Sequence, residues 1–346
     1  MSTATSAPRA PQATRPRGSR AHVLAIGLLL ALGLLALSVG LSLAVGSKAV
    51  PLGEVWAALT SPDDSYNAAV VASRIPRTVL GLLVGAALAV AGAVIQGLTR
   101  NPLGDPGLLG VNAGASTSVV LVTAFLGAGA GRTVWAAIPG AVLAAVVVYV
   151  VGSGRAGSTP VRLILAGAAV SAVLVAVVQG VSLALPEVFD SYRYWAVGSL
   201  AGRTGETVGL VAWFVLAGLL VCFVMARALN AIELGDQAAT SLGLSPGRTK
   251  ILAGAGATVL CAAAVAAAGP IGFVGLAVPH VARAVTGADH RWLLPYCALL
   301  GPVLVIGSDV LGRVVARPGE LMVGAVTAFV GAPFLIAAVR RGRVGL

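Results

Sequence analysis

Charge is what this chain has least of. Only 10% of its 346 residues are Asp, Glu, Lys or Arg and 58% are apolar, whereas a soluble domain carries about 25% charged residues. That is too little charge to cover a water-facing surface, and it reads as a multi-span membrane protein. Lysine occurs only at Lys48 and Lys250, and neither follows a glycine. The chain therefore lacks the glycine-rich lysine loop that cradles nucleotide phosphates, and it cannot bind ATP in that way. Its three cysteines, Cys222, Cys261 and Cys297, lie far apart within apolar runs, without a C-x-x-C pair. They read as small buried hydrophobes, not as disulfide or metal positions. No metal-ligand cluster, catalytic triad or dinucleotide fingerprint is recognisable, so neither catalysis nor a bound cofactor is expected. Dense basic blocks are absent too. The net charge is +11, but only Arg9, Arg15, Arg17 and Arg20 form a loose cluster, which disfavours nucleic acid as a partner.

What is present is a series of long apolar runs. Residues 1–21, rich in Ala, Pro, Ser, Thr and Arg, are expected to form a disordered basic tail. Ten runs follow, near 23–45, 78–98, 110–130, 134–152, 161–185, 208–226, 251–269, 271–286, 293–312 and 321–339. The first is longer than a signal-peptide core and lacks a convincing cleavage site, so it reads as a retained span. Backbone groups in lipid must be satisfied internally, and the runs are too long and continuous for barrel strands, so they are helices. The expectation is an all-α polytopic membrane protein with about ten transmembrane helices filling residues 22–346. If the ten alternate from an inside N-terminus, most of the 23 basic residues fall inside and most of the 12 acidic residues outside. This bias places both termini in the cytoplasm.

Five features stand out. The polar break Arg100-Asn101-Pro102-Leu103-Gly104 interrupts a glycine-rich apolar stretch, which suggests a transport path because a simple anchor needs no such interruption. The loop at about 228–250 carries Ile232, Leu234, Leu242 and Leu244 among polar residues, and Gly235 and Gly243 break it into two short helices. Those apolar residues read as a docking surface for a cytoplasmic partner. Arg74 and Arg77 precede the second run on the outside, where the charge rule disfavours them; contact with an acidic external partner or snorkelling at the interface would account for them. Asp309 and Arg313 stand four apart, a spacing that permits an ion pair. His280, after a kink-forming Pro279, reads either as a proton carrier or as a packed residue.

Taken together the motifs resemble the FecCD family, the permeases of type II ABC importers for iron-siderophores, haem and cobalamin. The resemblance rests on Arg74-x-Pro76-Arg77, Gly85-Ala86-Ala87-Leu88, Gly92-Ala93-x-x-Gln96, Arg100-Asn101-Pro102-Leu103, Pro106-x-x-Leu109-Gly110 and Trp195-x-x-Gly198-Ser199-Leu200. It continues through Ala239-x-x-Leu242-Gly243, the stretch from Gly269 to Arg283, Gly287-x-Asp289-His290, Asp309-x-x-x-Arg313, Glu320-Leu321-x-Val323-Gly324 and Gly331-x-Pro333-Phe334. It covers about residues 25–342, with Met322 standing where the family usually has proline.

The resemblance implies the type II ABC importer permease fold, a pore of two such subunits (a homodimer or a paralogous pair), two cytoplasmic ABC ATPase subunits and an extracytoplasmic substrate-binding protein. ATP would be bound and hydrolysed by the ATPases, not by this chain. Arg74, Arg77 and Arg313 are implied to receive the binding protein. Glu233, Ala239, Leu242, Gly243 and Leu244 are implied to couple to the ATPase. Gln96, Asn101, Pro102, Gln179, Trp195, Gly198 and Ser199 are implied in the translocation path, lined mainly near 165–202. That lining is mostly Ala, Val, Leu and Ser, which suits a large neutral chelate. Ferric siderophore is the expected cargo, with cobalamin or haem as alternatives. An ion-coupled secondary transporter using Asp309 and His280, or a channel or scaffold, is the competing reading.

Overall fold

The computed structural model describes residues 17–340 except 62, 128, 155, 156 and 159. In chain order the helices are α1 (Arg17–Ala44), α2 (Leu52–Thr60), α3 (Tyr66–Thr99), α4 (Val111–Leu126), α5 (Ala130–Gly152), α6 (Pro160–Ala184) and α7 (Pro186–Ala196). They continue with α8 (Gly205–Val224), α9 (Ala226–Glu233), α10 (Asp236–Ser241), α11 (Pro246–Ala268), α12 (Val274–Thr286), α13 (His290–Val315) and α14 (Val323–Arg340). A 3-10 turn at Pro106–Leu109 precedes α4, and a two-residue hairpin pairs Ser153–Gly154 with Gly157–Ser158.

Each of the ten apolar runs is matched by one helix. Seven helices are long and apolar enough to cross a membrane, and α4, α12 and α14 are shorter apolar helices. The chain is an all-α, multi-pass membrane protein. The expected basic tail lies largely outside the described residues, and α1 already begins at Arg17.

α3 and α11 form the centre. About 83% of the most apolar window of α3 is buried, against 17% for α1 and for α6, so α1 and α6 turn their faces outward. Small residues make a central position feasible: Ala262 through Ala268 on α11 are all buried. Where α3 crosses α12, a methyl group added to Gly92 would overlap the Gly275 carbonyl oxygen. Where α3 crosses α13, one added to Gly301 would overlap the carbonyl oxygen of Gly85. Backbones this close gain dispersion and need no hydrophobic drive, which lipid does not supply.

α3 begins a dozen residues earlier than the apolar run predicts. Ser65 caps it, its Oγ accepting the Ala68 amide at 3.2 Å, as N-cap serines do. Its added turns pack Val71 against Leu43, Val50 and Val55. Arg74 and Arg77 therefore lie inside a helix, not in a loop before one. α2 was missed by the sequence reading, although Leu52, Val55, Trp56 and Leu59 have helical spacing.

Candidate functional site

Two opposite ends of the bundle carry the polar groups. At one end, α9 and α10 fold as the two short helices expected, turning at Gly235 with φ 115°. Ile232 and Ala239 are fully buried inside this hairpin, and Leu244 packs on them. Leu234 and Leu242 are 73% and 65% exposed, and Gly243 is open to solvent. Of the five residues grouped by sequence for ATPase contact, then, Leu242 and Gly243 face outward. Ala239 and Leu244 shape the hairpin from within, and the Glu233 carboxylate turns inward, 3.8 Å from His290 Nε2.

The hairpin is tied to three long helices. Arg100, the left-handed residue that ends α3, donates from Nε to the Ile232 carbonyl at 3.0 Å and pairs with Asp236. Lys250 at the start of α11 donates to the second Asp236 oxygen at 2.6 Å. Asn230 on α9 donates to Asp289 Oδ1 at 2.7 Å and accepts the His290 amide at 2.8 Å, gripping the start of α13. The Lys250 ammonium and then Arg100 hold the Asp236 carboxyl below its usual range, while burial pushes that of Glu233 up against the pull of Arg283 and Arg100. A push on α9–α10 thus reaches α3, α11 and α13 through short bonds.

At the opposite end, an arginine cluster surrounds the C-terminus of α1. Arg74 donates to the carbonyls of Leu43 and Lys48 at 2.7 and 2.6 Å. Arg313 donates to the Ser42 carbonyl and hydroxyl at 3.1 and 3.0 Å and pairs with Asp309 at 3.1 Å. Helix C-termini leave carbonyls without partners and carry partial negative charge, so cations settle there. Arg74 and Arg313 are 7% and 2% exposed, their guanidiniums bonded within the chain. Arg77 remains nearer the surface, bridging buried Asp309 at 2.8 Å and half-exposed Glu320 at 2.7 Å.

The residues implied in the path do not meet in one cavity. Gln96 is buried between α3 and α12, donating to the Gly275 carbonyl at 3.1 Å and accepting from Arg283. Asn101 and Pro102 form the turn after α3, with Asn101 Oδ1 accepting the Leu103 amide at 2.9 Å. Gln179 is exposed on the outward face of α6. Trp195, Gly198 and Ser199 do come together at the arginine end. Ser199 N–H donates to the Ala268 carbonyl at 2.6 Å, and the Gly198 carbonyl accepts from Gly324 at 3.1 Å. Gly198, at φ 78°, sits where a side chain would meet the Pro270 carbonyl. Three connections, α7–α8, α11–α12 and α13–α14, are knotted here by backbone hydrogen bonds.

The sequence model of the FecCD transport family matches residues 34–341. The chain belongs to that family. Among FecCD-type relatives, it is 45% identical to the ferric enterobactin transport system permease protein FepD of Escherichia coli (strain K12), over 94% of this chain and 98% of that protein. It is 37% identical to the cobalamin import system permease protein BtuC of Halobacterium salinarum, over 89% of this chain and 86% of that one. Among solved structures, a metal-chelate-type ABC transporter in an inward-facing conformation aligns with a TM-score of 0.79 at 27% identity, covering 93% of this chain and 99% of that one. The fold is therefore that of the FecCD permeases, as the motifs led one to expect.

Several residues of this FecCD chain were not singled out from sequence. Asn230, Asp236, Lys250 and Arg283 hold the hairpin and the α3–α12 joint, and Arg203 lines a cavity beside Trp195. The partners of the first four lie 14 to 187 positions away in sequence, so no local spacing marks them.

Proposed function

We propose that this chain is the membrane-spanning permease subunit of an ATP-driven importer that carries a ferric siderophore into the cell. The observation that carries this reading is the end-to-end match to a ferric enterobactin permease, 45% identical over 98% of its length. The chain has no nucleotide loop of its own, and an exposed pair of leucines, Leu234 and Leu242, projects from a hairpin bonded to three central helices. That arrangement supports coupling to separate cytoplasmic ATPases, two per complex, with this chain itself non-catalytic. The charge bias supports a cytoplasmic α9–α10 end and cytoplasmic termini, leaving the arginine cluster outside.

The second permease subunit is a second copy or a paralogue, packed against the outward-turned α6, where Gln179 lies. The extracytoplasmic binding protein docks near Arg77, with Arg74 and Arg313 holding the surface beneath it. ATP binding closes the ATPases, the hairpin transmits the motion to α3, α11 and α13, and the chelate passes between subunits without covalent chemistry. Gln96, Asn101 and Pro102 act as joints at the moving helix ends, while Trp195, Gly198 and Ser199 anchor the outer mouth. The similarity to a cobalamin permease supports a second cargo reading. The engagement of Asp309 by two arginines argues against its use as a free proton site.

Uptake of radioactive ferric siderophore in cells lacking this chain, with labelled cobalamin and haem in parallel, tests the proposal. Loss of iron uptake alone, restored by the intact gene, is expected. Loss of only cobalamin or haem uptake would change the cargo and keep the importer.

A further inference from the structure

A cavity of about 320 Å3 opens between α4, α5 and α7 at the arginine-cluster end. Thr123, Thr133, Tyr192, Trp195, Ser199 and Arg203 line it, with no acidic residue in its wall among the described residues. Trp195 is 6% exposed, and its indole Nε1–H is buried without an acceptor. Arg203 Nε is likewise buried and unbonded, and Arg203 has no ion pair among the described residues. Ser199 Oγ already accepts the Ala201 amide at 3.1 Å, so its hydroxyl hydrogen is left to donate.

Buried donors without partners are rare in native proteins and each costs free energy. Indole and guanidinium groups only donate, and one of them carries charge. The chemistry that satisfies both is a negatively charged, oxygen-rich group. A cavity near 300 Å3 lies at the small end of ligand sites, so it takes one arm of a chelate and not the whole complex. Everywhere else at this end, arginine is already committed: Arg74, Arg77, Arg313 and Arg317 bond carbonyls or carboxylates of the chain itself. Arg203 is the exception.

We propose that this cavity is a subsite for an anionic, oxygen-bearing arm of the incoming chelate, with Arg203 and the Trp195 N–H as its donors. The inference rests on the importer reading above and narrows its cargo to anionic chelates. The lining at 165–202 by itself suits a neutral one, and the cation that alters this lies one residue beyond it.

The test is equilibrium dialysis of radioactive iron against the full permease–ATPase complex in lipid nanodiscs, without binding protein. One probe is the trianionic ferric tris-catecholate, the other a neutral ferric tris-hydroxamate. Arg203→Gln should weaken tris-catecholate binding about tenfold or more, the range for a lost charged hydrogen bond. Arg203→Lys should keep most of it, Trp195→Phe should lose a few-fold, and tris-hydroxamate binding should not follow any of the three. Equal tris-catecholate binding by the parent and Arg203→Gln overturns the subsite. So does an equal loss for both probes, which marks a disturbed fold. Cellular uptake separates the two levels: a chain that imports only cobalamin or haem ends the iron reading, whereas iron import without charge selectivity ends only the subsite.

Discussion

Asp309→Asn is the most informative single substitution. Asp309 is 2% exposed and sits between two guanidiniums: Arg77 reaches it with Nε at 3.0 Å and a terminal nitrogen at 2.8 Å, and Arg313 lies at 3.1 Å. Removing the charge leaves Arg77 with half-exposed Glu320 but leaves buried Arg313 with only neutral acceptors, the oxygens of Ser42 and the backbone carbonyl of residue 309. Breaking a buried pair from one side costs about 3–5 kcal/mol, because the remaining charge is left uncompensated. In a chain of this size that corresponds to a fall in thermal midpoint of about 4–7 °C. The assay is thermal unfolding of the purified permease in detergent, followed by loss of the monodisperse chromatographic peak. Asp309→Asn with Arg313→Gln should recover part of the loss, since no unpaired charge then remains. A single variant that melts with the parent, or a double variant that melts below the single, would refute the reasoning. A variant that keeps full stability yet loses all transport would instead revive the ion-coupled reading, in which Asp309 carries a proton.

Three further outcomes are expected. Leu242→Glu, at a 65% exposed position, should leave the thermal midpoint unchanged but uncouple ATP hydrolysis from uptake, measured as ATP consumed per chelate imported. Gly92→Val should lower the yield of folded protein, because its side chain would overlap the Gly275 carbonyl and overpacking costs about 1–3 kcal/mol or more; Gly33→Val, in open space on α1, is the control. The hairpin should respond to pH in two opposed ways, read by hydrogen exchange of α9–α10 amides. The folded pKa of Asp236 is lowered, so its contribution is complete above its unfolded pKa of about 3.9 and is lost only as pH falls through the folded value below that. The folded pKa of Glu233 is raised by burial. Folding therefore binds a proton between its unfolded and folded values, and protection rises as pH falls through that window. Glu233→Gln should abolish this rise and leave the acid loss in place.

The ten apolar helices were legible in the sequence because the constraint behind them is local. A run of apolar residues in lipid has no option but a helix, whatever its neighbours. The turn chemistry of the α9–α10 hairpin is local as well: Gly235 and Gly243 supply the positive φ that ends each short helix. The absence of a nucleotide loop and the sequence of family motifs were equally readable, and together they specify an ABC permease. Even the pairing of Asp309 with Arg313 followed from one turn of helix.

What the tertiary structure alone decided is which polar groups are engaged. Arg74 and Arg77 look alike in sequence, three residues apart on one helix. One turns to the carbonyls that end α1, 31 positions earlier, and the other to Asp309, 232 positions later. Leu242 and Leu244 look alike too, yet one faces solvent and the other fills the hairpin. Gln96 meets Arg283 where the crossing of Gly92 on Gly275 brings the backbones of α3 and α12 into contact, and Asp236 meets Arg100 where the hairpin folds back on the end of α3. Hydropathy acts on each segment separately, whereas a hydrogen bond needs both partners placed to within a few tenths of an ångström. The sequence therefore determined that the chain crosses the membrane and to which family of transporters it belongs, and packing decided which of its charges are bound within the protein and which, like that of Arg203, have no ion pair among the described residues.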